Sequence, residues 1–339
     1  MVKMSSLGDI VHTLPALTDA SKARPGIRFD WVVEENFSEI PGWHPAVDRI
    51  IPVALRRWRR HPLRDFRGPQ WREAKAQLRH ARYDALIDAQ GLVKSAFISR
   101  LVSTARYGLD RQSVRERLAT SVYDHRIRVP REMHAVERTR MLFARALKYA
   151  LPSHDAQYGL EVCYPRKTLP TQPFILFFHG SAVARKLWPE SHWIELARLA
   201  VAAEVRVLLP WGSEQERQRA QRIAMAVDES NSNSAGNGNV GRVEVLPRLN
   251  LSAIADLLAS ASGMVAVDTG LGHLGAALGI PGVSLYGHTR PDRVGTLGKN
   301  QCHLRNATDL SAIASRDVWT ALLALWDRSR HSEHVAQEV

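Results

Sequence analysis

The 339-residue chain has two cysteines, Cys163 and Cys302, and neither belongs to a CxxC pair. No disulfide framework or thiolate zinc site is expected, and so few thiols fit a reducing compartment. The fourteen histidines are scattered and form no HExxH pattern, so no metal-binding helix of that kind is expected. No apolar run approaches the ~18–20 residues that a membrane-spanning helix needs. The opening MVKMSSLGDIVHTL lacks the basic region and apolar stretch of a secretory signal, which points to a cytoplasmic protein. Acidic residues are outnumbered: 46 Lys and Arg against 34 Asp and Glu give a net charge of +12. That excess favours an anionic partner, whether nucleic acid, an anionic membrane face or a phosphorylated substrate, without choosing among them. With 45% hydrophobic and 24% charged residues, the composition is that of a globular protein rather than a disordered or fibrous one.

Short β-branched runs alternate with longer helical patterns. Strands are expected at Phe29–Val33, Arg49–Val53, Ala85–Asp88 and Arg106–Gly108, then at Ile175–Phe178, Val205–Pro210, Val243–Leu246, Met264–Val267 and Val283–Tyr286. Helical patterns fall between them, which implies an α/β architecture of parallel sheets covered on both faces. YPRKTLPTQP, residues 164–173, packs three prolines into ten positions and marks the boundary between two Rossmann-sized halves. The expected division is a first domain over 1–165, a second over 166–310, a terminal helix over 311–327 and a frayed tail over 328–339. The crevice between the halves is the default ligand site. The polar stretch SNSNSAGNGNVG, residues 230–241, reads as a disordered surface loop. A first parallel strand must precede SSLGD, yet only Met1–Met4 is available, against a usual length of ~5–6 residues. Either that strand is abbreviated or translation begins upstream of Met1.

The most informative stretch is GMVAVDTGLGHLGAALGIPGVSLYG, residues 263–287. A buried strand ends at Asp268-Thr269-Gly270 and a helix follows at once. Gly270 and Gly272 remove side chains where a backbone approaches a ligand, and the helix start presents free amides to a diphosphate. Thr269 and His273 add donors. A plain capped helix with Asp268 as N-cap is the competing reading. The DTG of aspartic proteases is discarded because those sites occupy all-β folds. In FHGSAVARKLW, residues 178–188, Ser181 offers a hydroxyl and Lys186 a mobile cation; the competing reading is a solvated loop. Glu216 follows Pro210-Trp211-Gly212 and either accepts from ribose hydroxyls or complements its helix N-terminus. Asp9, in the first strand-to-helix turn, is a candidate general base or simply a first-turn charge. The basic run Arg56-Arg57-Trp58-Arg59-Arg60, together with Arg115, suits phosphate and carboxylate binding, although such runs are commonly solvated faces or nucleic-acid patches. Lys94 stands in the first turn of another helix that follows a strand.

SSLGDIVHTLPALTDA, FDWVVEE, RRWRR, YDALIDAQGLVKS, HAVERTR, LPWG and VDTGLGHLGAALG occur in this order, and the chain so resembles glycosyltransferase family 9. The likeness runs from residue 1 to about Trp326, leaving out the Asn/Ser-rich loop and the tail. It implies a GT-B fold, with two Rossmann-like parallel-sheet domains facing across a crevice. It also implies inverting transfer of L-glycero-D-manno-heptose from ADP-heptose to the inner Kdo of Kdo-lipid A, with no metal or other cofactor. FDWVVEE, RRWRR and YDALIDAQGLVKS point to the branch that adds the first heptose. Asp9 matches the family's general base. Ser181, Lys186, Glu216, Asp268, Thr269, Gly270 and His273 match its donor contacts. Arg56, Arg57, Arg59, Arg60 and Arg115 match its acceptor-side basic surface. Ser181-Ala182 replaces the family's usual pair of threonines, which costs one hydroxyl, and the first strand is shorter than the family's. The implied partners are ADP-heptose, Kdo-lipid A and the anionic inner-membrane surface, with no nucleic acid and a peripheral cytoplasmic location. The alternatives are a relative adding the second or a later core heptose, and a non-enzymatic basic protein binding nucleic acid or another polyanion.

Overall fold

The computed structural model of the chain describes residues 1–58, 68–80, 82–167, 170–231 and 242–337. Arg59 and Arg60 lie outside the described residues, as does most of the Asn/Ser-rich stretch. The chain divides into two compact units, Met1–Cys163 and Tyr164–Val339.

In the first unit the elements run α1 (Leu7–Val11), α2 (Leu14–Ala23), β1 (Phe29–Glu34), β2 (Val47–Val53), α3 (Leu55–Trp58), α4 (Pro69–His80), β3 (Leu86–Asp88), α5 (Val93–Ser99), β4 (Arg106–Leu109), β5 (His125–Ile127) and α6 (Ala135–Leu147). The second unit contributes β6 (Phe174–Phe178), α7 (Glu190–Ala202), β7 (Arg206–Leu209), α8 (Glu214–Asn231), β8 (Val243–Val245), α9 (Leu251–Ser260), β9 (Gly263–Val267), α10 (Gly270–Ala277), β10 (Gly282–Tyr286), α11 (Pro291–Val294), β11 (Gln301–Arg305) and α12 (Ser315–Gln337).

Every pairing between these strands is parallel. The second sheet is six-stranded, in the order β11-β10-β9-β6-β7-β8, which is the doubly wound order of a dinucleotide-binding domain. The first unit follows the same order once residues 1–4 are counted as its first strand. Val2 bridges in parallel to Val32 on one side and Asp88 on the other. The Lys3 amide donates to the Val32 carbonyl at 3.2 Å, and the Val2 amide donates to that of Ile87 at 2.9 Å. Short as it is, this segment therefore hydrogen-bonds on both edges and places the SSLGD turn at the strand-order reversal, where ligands of open α/β sheets bind.

The central strands of the sheets, such as β3, β6, β9 and β10, are buried on both faces, as their uninterrupted apolar runs require. FILFF in β6 and GMVAV in β9 are buried throughout, and Trp188 and Trp193 stack edge to face, 5.1 Å apart, on the α7 side of the second core. In the first unit Val2, Met4, Val32, Ile51, Trp58 and Leu86 share one cluster.

Several elements differ from expectation. β5 and β11 add to the expected strands; both are edge strands carrying polar residues, HRI and QCHLR, so the apolar signature that reveals a buried strand is weak in them. The last helix starts at Ser315 and runs to Gln337 instead of spanning 311–327, and a separate 3-10 turn covers Leu310–Ala312. Helix α8 extends through Asn231, so the first two residues of the polar stretch are helical.

Candidate functional site

In the second unit the expected donor residues gather at the carboxyl ends of β6, β7 and β9. Helix α10 opens at Gly270 with Thr269, not Asp268, as its N-cap. The Asp268 carboxylate is thereby released from capping. Its Oδ2 lies 2.6 Å from the Lys186 Nζ and accepts from the Thr289 hydroxyl, also at 2.6 Å. Lys186 closes a 3-10 turn, Ala184–Lys186, in the loop after β6, so this ion pair ties the β6 loop to the β9 loop. The first turn of α10 carries Gly270, Gly272 and a buried His273. Gly272 serves packing as well: a Cβ there would stand 3.0 Å from the Ala266 Cβ of β9. Its small size brings the helix N-terminus down onto the strand.

Glu216 lies in the first turn of α8. Its Oε2 accepts from the Gly212 amide at 2.7 Å and the Ser213 amide at 3.1 Å, which holds the Pro-Trp-Gly turn. Its Oε1 leans on Gly180, where a Cβ would come within 2.3 Å. Gly180 thus leaves room for the Glu216 carboxylate, and next to it in the chain the Ser181 hydroxyl accepts from the Val183 amide at 3.3 Å. Just behind, His179 is buried, with both ring nitrogens lacking a partner among the described residues. Burial holds its pKa down at about 4, with Arg219 adding repulsion.

In the first unit Asp9 closes a capping box at the start of α1. Its Oδ2 accepts from the Ser6 amide at 2.9 Å and the Ser6 hydroxyl at 3.0 Å. Its Oδ1 stands 3.6 Å from the Lys3 ammonium, and the Asp9 side chain is 43% exposed. Lys3 is buried and donates to the Ala89 carbonyl at 2.9 Å. The turn is held by Gln90, whose Oε1 accepts from the Met4 and Ser5 amides at 2.8 and 3.1 Å, while Lys94 donates to the Ser5 hydroxyl at 3.3 Å. Glu34 ends β1 beside this cluster. Burial raises its pKa, against the pull of the Lys94 charge and the Arg56 amide.

The basic run begins on α3. Arg57 makes a two-pronged ion pair with Glu35, at 2.8 and 3.2 Å, and a third bond to Gln70 at 2.8 Å, whereas Arg56 is exposed beside Glu34. Arg115 is exposed on a bend ahead of the 3-10 helix Arg117–Val122. Two contributors escaped the sequence reading. Lys3 sits inside an apolar strand, and its charge in MVKM was the available signal. Thr289 follows β10 in another strand-to-helix turn, YGHTRPD, of the kind that flagged the other sites.

The model of glycosyltransferase family 9 (heptosyltransferase) matches residues 71–318. The chain belongs to glycosyltransferase family 9. Among relatives of this family 9 chain, the lipopolysaccharide heptosyltransferase 1 of Pseudomonas aeruginosa is 50% identical over 305 residues, covering 90% of this chain and 82% of the relative. Two solved structures of the E. coli heptosyltransferase WaaC are similar. The one with ADP gives a TM-score of 0.86 at 42% identity, covering 96% of this chain and 98% of that one. The one with ADP-2-deoxy-2-fluoro heptose gives 0.82 at 43% identity, covering 94% and 96%. The α/β family 9 chain thus has the GT-B class of fold, built from two Rossmann-like parallel-sheet units. Among its described residues no helix is long and apolar enough to cross a membrane, and no group of three or more His, Cys, Asp or Glu could hold a metal ion.

Proposed function

We propose that this family 9 glycosyltransferase is a lipopolysaccharide heptosyltransferase I, moving L-glycero-D-manno-heptose from ADP-heptose to the inner Kdo of Kdo-lipid A. The observation that carries the reading is the donor-side constellation of Ser181, Lys186, Glu216, Asp268 and the α10 N-terminus. It belongs to a chain 43% identical to E. coli WaaC in its structure with ADP-2-deoxy-2-fluoro heptose. Lys186 and the opening amides of α10 stabilise the diphosphate as it gains charge on leaving, with Thr269 and His273 as further donors. Glu216 and Ser181 take hydroxyls of the nucleoside and sugar. On the acceptor side Asp9 removes the proton from a Kdo hydroxyl. That oxygen forms its bond to the anomeric carbon as the bond to ADP breaks, and configuration inverts. Arg56, Arg57, Arg59, Arg60 and Arg115 receive the acceptor's carboxylates and phosphates. The reaction as written uses no metal or cofactor. A lipid-anchored acceptor and the net charge of +12 support peripheral association with the cytoplasmic face of the inner membrane.

The test is ADP release by the purified protein supplied with ADP-heptose and Kdo-lipid A, with acceptor-free and heptosylated-acceptor controls. Release that needs the unheptosylated acceptor, with product mass raised by one heptose, is expected. Release with the heptosylated acceptor alone would assign the chain to a later step, and no release with either would overturn the reading.

A further inference from the structure

Apolar side chains and cations share one outward face of the first unit that the transfer chemistry does not use. On α5 and its C-cap, Val93, Phe97 and Arg100 fall at i, i+4 and i+7, on a single side of the helix. Val93 is 47% and Phe97 48% exposed. The Phe97 ring is held from behind, stacked on the buried Trp71 of α4 at 5.9 Å and 14°, so it is presented outward in a fixed pose. The neighbouring 3-10 helix Arg117–Val122 carries Leu118, 78% exposed. It is locked to the head of α5 by Glu116, whose Oε2 accepts from the Val93 amide at 2.7 Å. That bond occupies the carboxylate lying between the exposed Arg115 and Arg117. At the other end of α5 the face runs into a groove of about 670 Å³ lined by Arg79, Arg100, Arg106, Ser103, Thr104 and Asp124. Asp124 already takes Arg106 in a two-pronged pair at 3.0 Å, which leaves Arg79 and Arg100 as the groove's exposed cations.

We propose that Val93, Phe97 and Leu118, with the Arg79–Arg100 groove, form the surface by which this protein docks on an anionic lipid bilayer. The apolar knobs enter the acyl boundary while the guanidinium groups take lipid phosphates, the division that interfacial binding requires. Phe97 is the one ring among the three knobs, and Val93 and Leu118 offer a nucleobase no flat face to stack on, which favours a bilayer over a nucleic acid here. The inference deepens the reading of a lipid-borne acceptor by naming where the bilayer is met. Its test uses vesicles without acceptor, so that its failure and the failure of that reading are distinct.

The full chain is floated with vesicles of phosphatidylethanolamine and phosphatidylglycerol, and with phosphatidylcholine vesicles as the uncharged control. Binding to the anionic vesicles that falls with salt is expected. Val93→Asp with Phe97→Asp lowers it about ten-fold or more, and Arg79→Ser with Arg100→Ser lowers it about ten-fold and flattens the salt dependence. All these side chains are exposed, and turnover on a water-soluble acceptor glycan without acyl chains stays at the wild-type level, which reports that each variant is folded. Absence of wild-type binding to anionic vesicles overturns the proposal, as does binding that both double variants retain in full or binding equally strong to phosphatidylcholine. Transfer to Kdo-lipid A without vesicle binding rejects the docking face alone. Vesicle binding without transfer rejects the transferase reading alone.

Discussion

The Lys186 ammonium and the Asp268 carboxylate are 2.6 Å apart, and they come from different strand-to-helix loops of the second sheet. With side chains 31% and 10% exposed, the pair is partly open to water, and its own stability contribution is at most about 1 kcal/mol. Its consequence is placement, because a flexible lysine is held beside the N-terminus of α10, the end that the proposed function gives to the diphosphate. Lys186→Ala is expected to weaken ADP-heptose binding and slow transfer, lowering kcat/KM by about 10- to 100-fold, or roughly 1.4–2.8 kcal/mol. Calorimetry and initial rates read the two effects separately, and unchanged values for both would refute the role.

Asp9 combines two duties, since the carboxylate assigned to proton removal also caps α1 through Ser6. Asp9→Ala should abolish transfer while ADP-heptose still binds, and should also cost about 1 kcal/mol of stability from the lost cap. Asp9→Asn keeps an oxygen for the Ser6 amide but cannot take a proton. It should restore most of the stability and none of the turnover. Near-normal turnover in either variant would remove Asp9 from the mechanism.

Gly180 is small because the Glu216 carboxylate fills the space its side chain would need. In Gly180→Ala the new methyl group must displace Glu216 from the Gly212 and Ser213 amides that hold it. The variant is therefore expected to lose donor affinity about as much as Glu216→Gln, by about ten-fold, with the double variant little worse than either single one. Additive losses would show that the two residues act independently.

The buried strands were legible because each is a short apolar run closed by a turn residue. FILFF before HGS and GMVAV before DTG located β6 and β9 and, with them, the loops that carry Ser181, Lys186 and Asp268. The polar edge strands β5 and β11 carry no such signal. Spacing also could not show which of two acceptable roles a residue takes. Asp268 reads equally well as an N-cap, and only the backbone geometry gives that position to Thr269. Gly272 likewise reads as a ligand-approach glycine, and only its distance to Ala266 shows that its small size also serves packing. Lys3 escaped notice because a lysine two residues into a strand is normally solvated, whereas here its neighbours bury it and turn its ammonium toward Asp9 and the Ala89 carbonyl. Lys3→Met should accordingly lower kcat more than the donor KM, with Lys3→Arg recovering part of the loss; equal effects on both parameters would make it a purely structural residue.

Acid should weaken the second unit through His179. Its folded pKa of about 4 lies below the ordinary 6.5 because burial disfavours the imidazolium and Arg219 repels it. The neutral ring therefore contributes stability that is complete above about pH 6.5. As pH falls from there toward 4, the unfolded chain takes up a proton that the folded one refuses, and the contribution drains away. The limit is roughly 3 kcal/mol for a shift of this size. His44 behaves in the same sense in the first unit, its pKa also held at about 4 by burial. There the ring nitrogens are used, however, by the Thr18 hydroxyl at 2.9 Å and the Ala46 amide at 3.1 Å. The His179 nitrogens have no such partners, so His179→Phe, which keeps a ring against Trp193, should stay within about 1 kcal/mol of wild type at neutral pH. The variant should lose stability more slowly than wild type between pH 6.5 and 4, as read by urea midpoints from tryptophan emission. Parallel declines in the two proteins would mean that His179 is protonated in the folded state and that the acid sensitivity lies elsewhere.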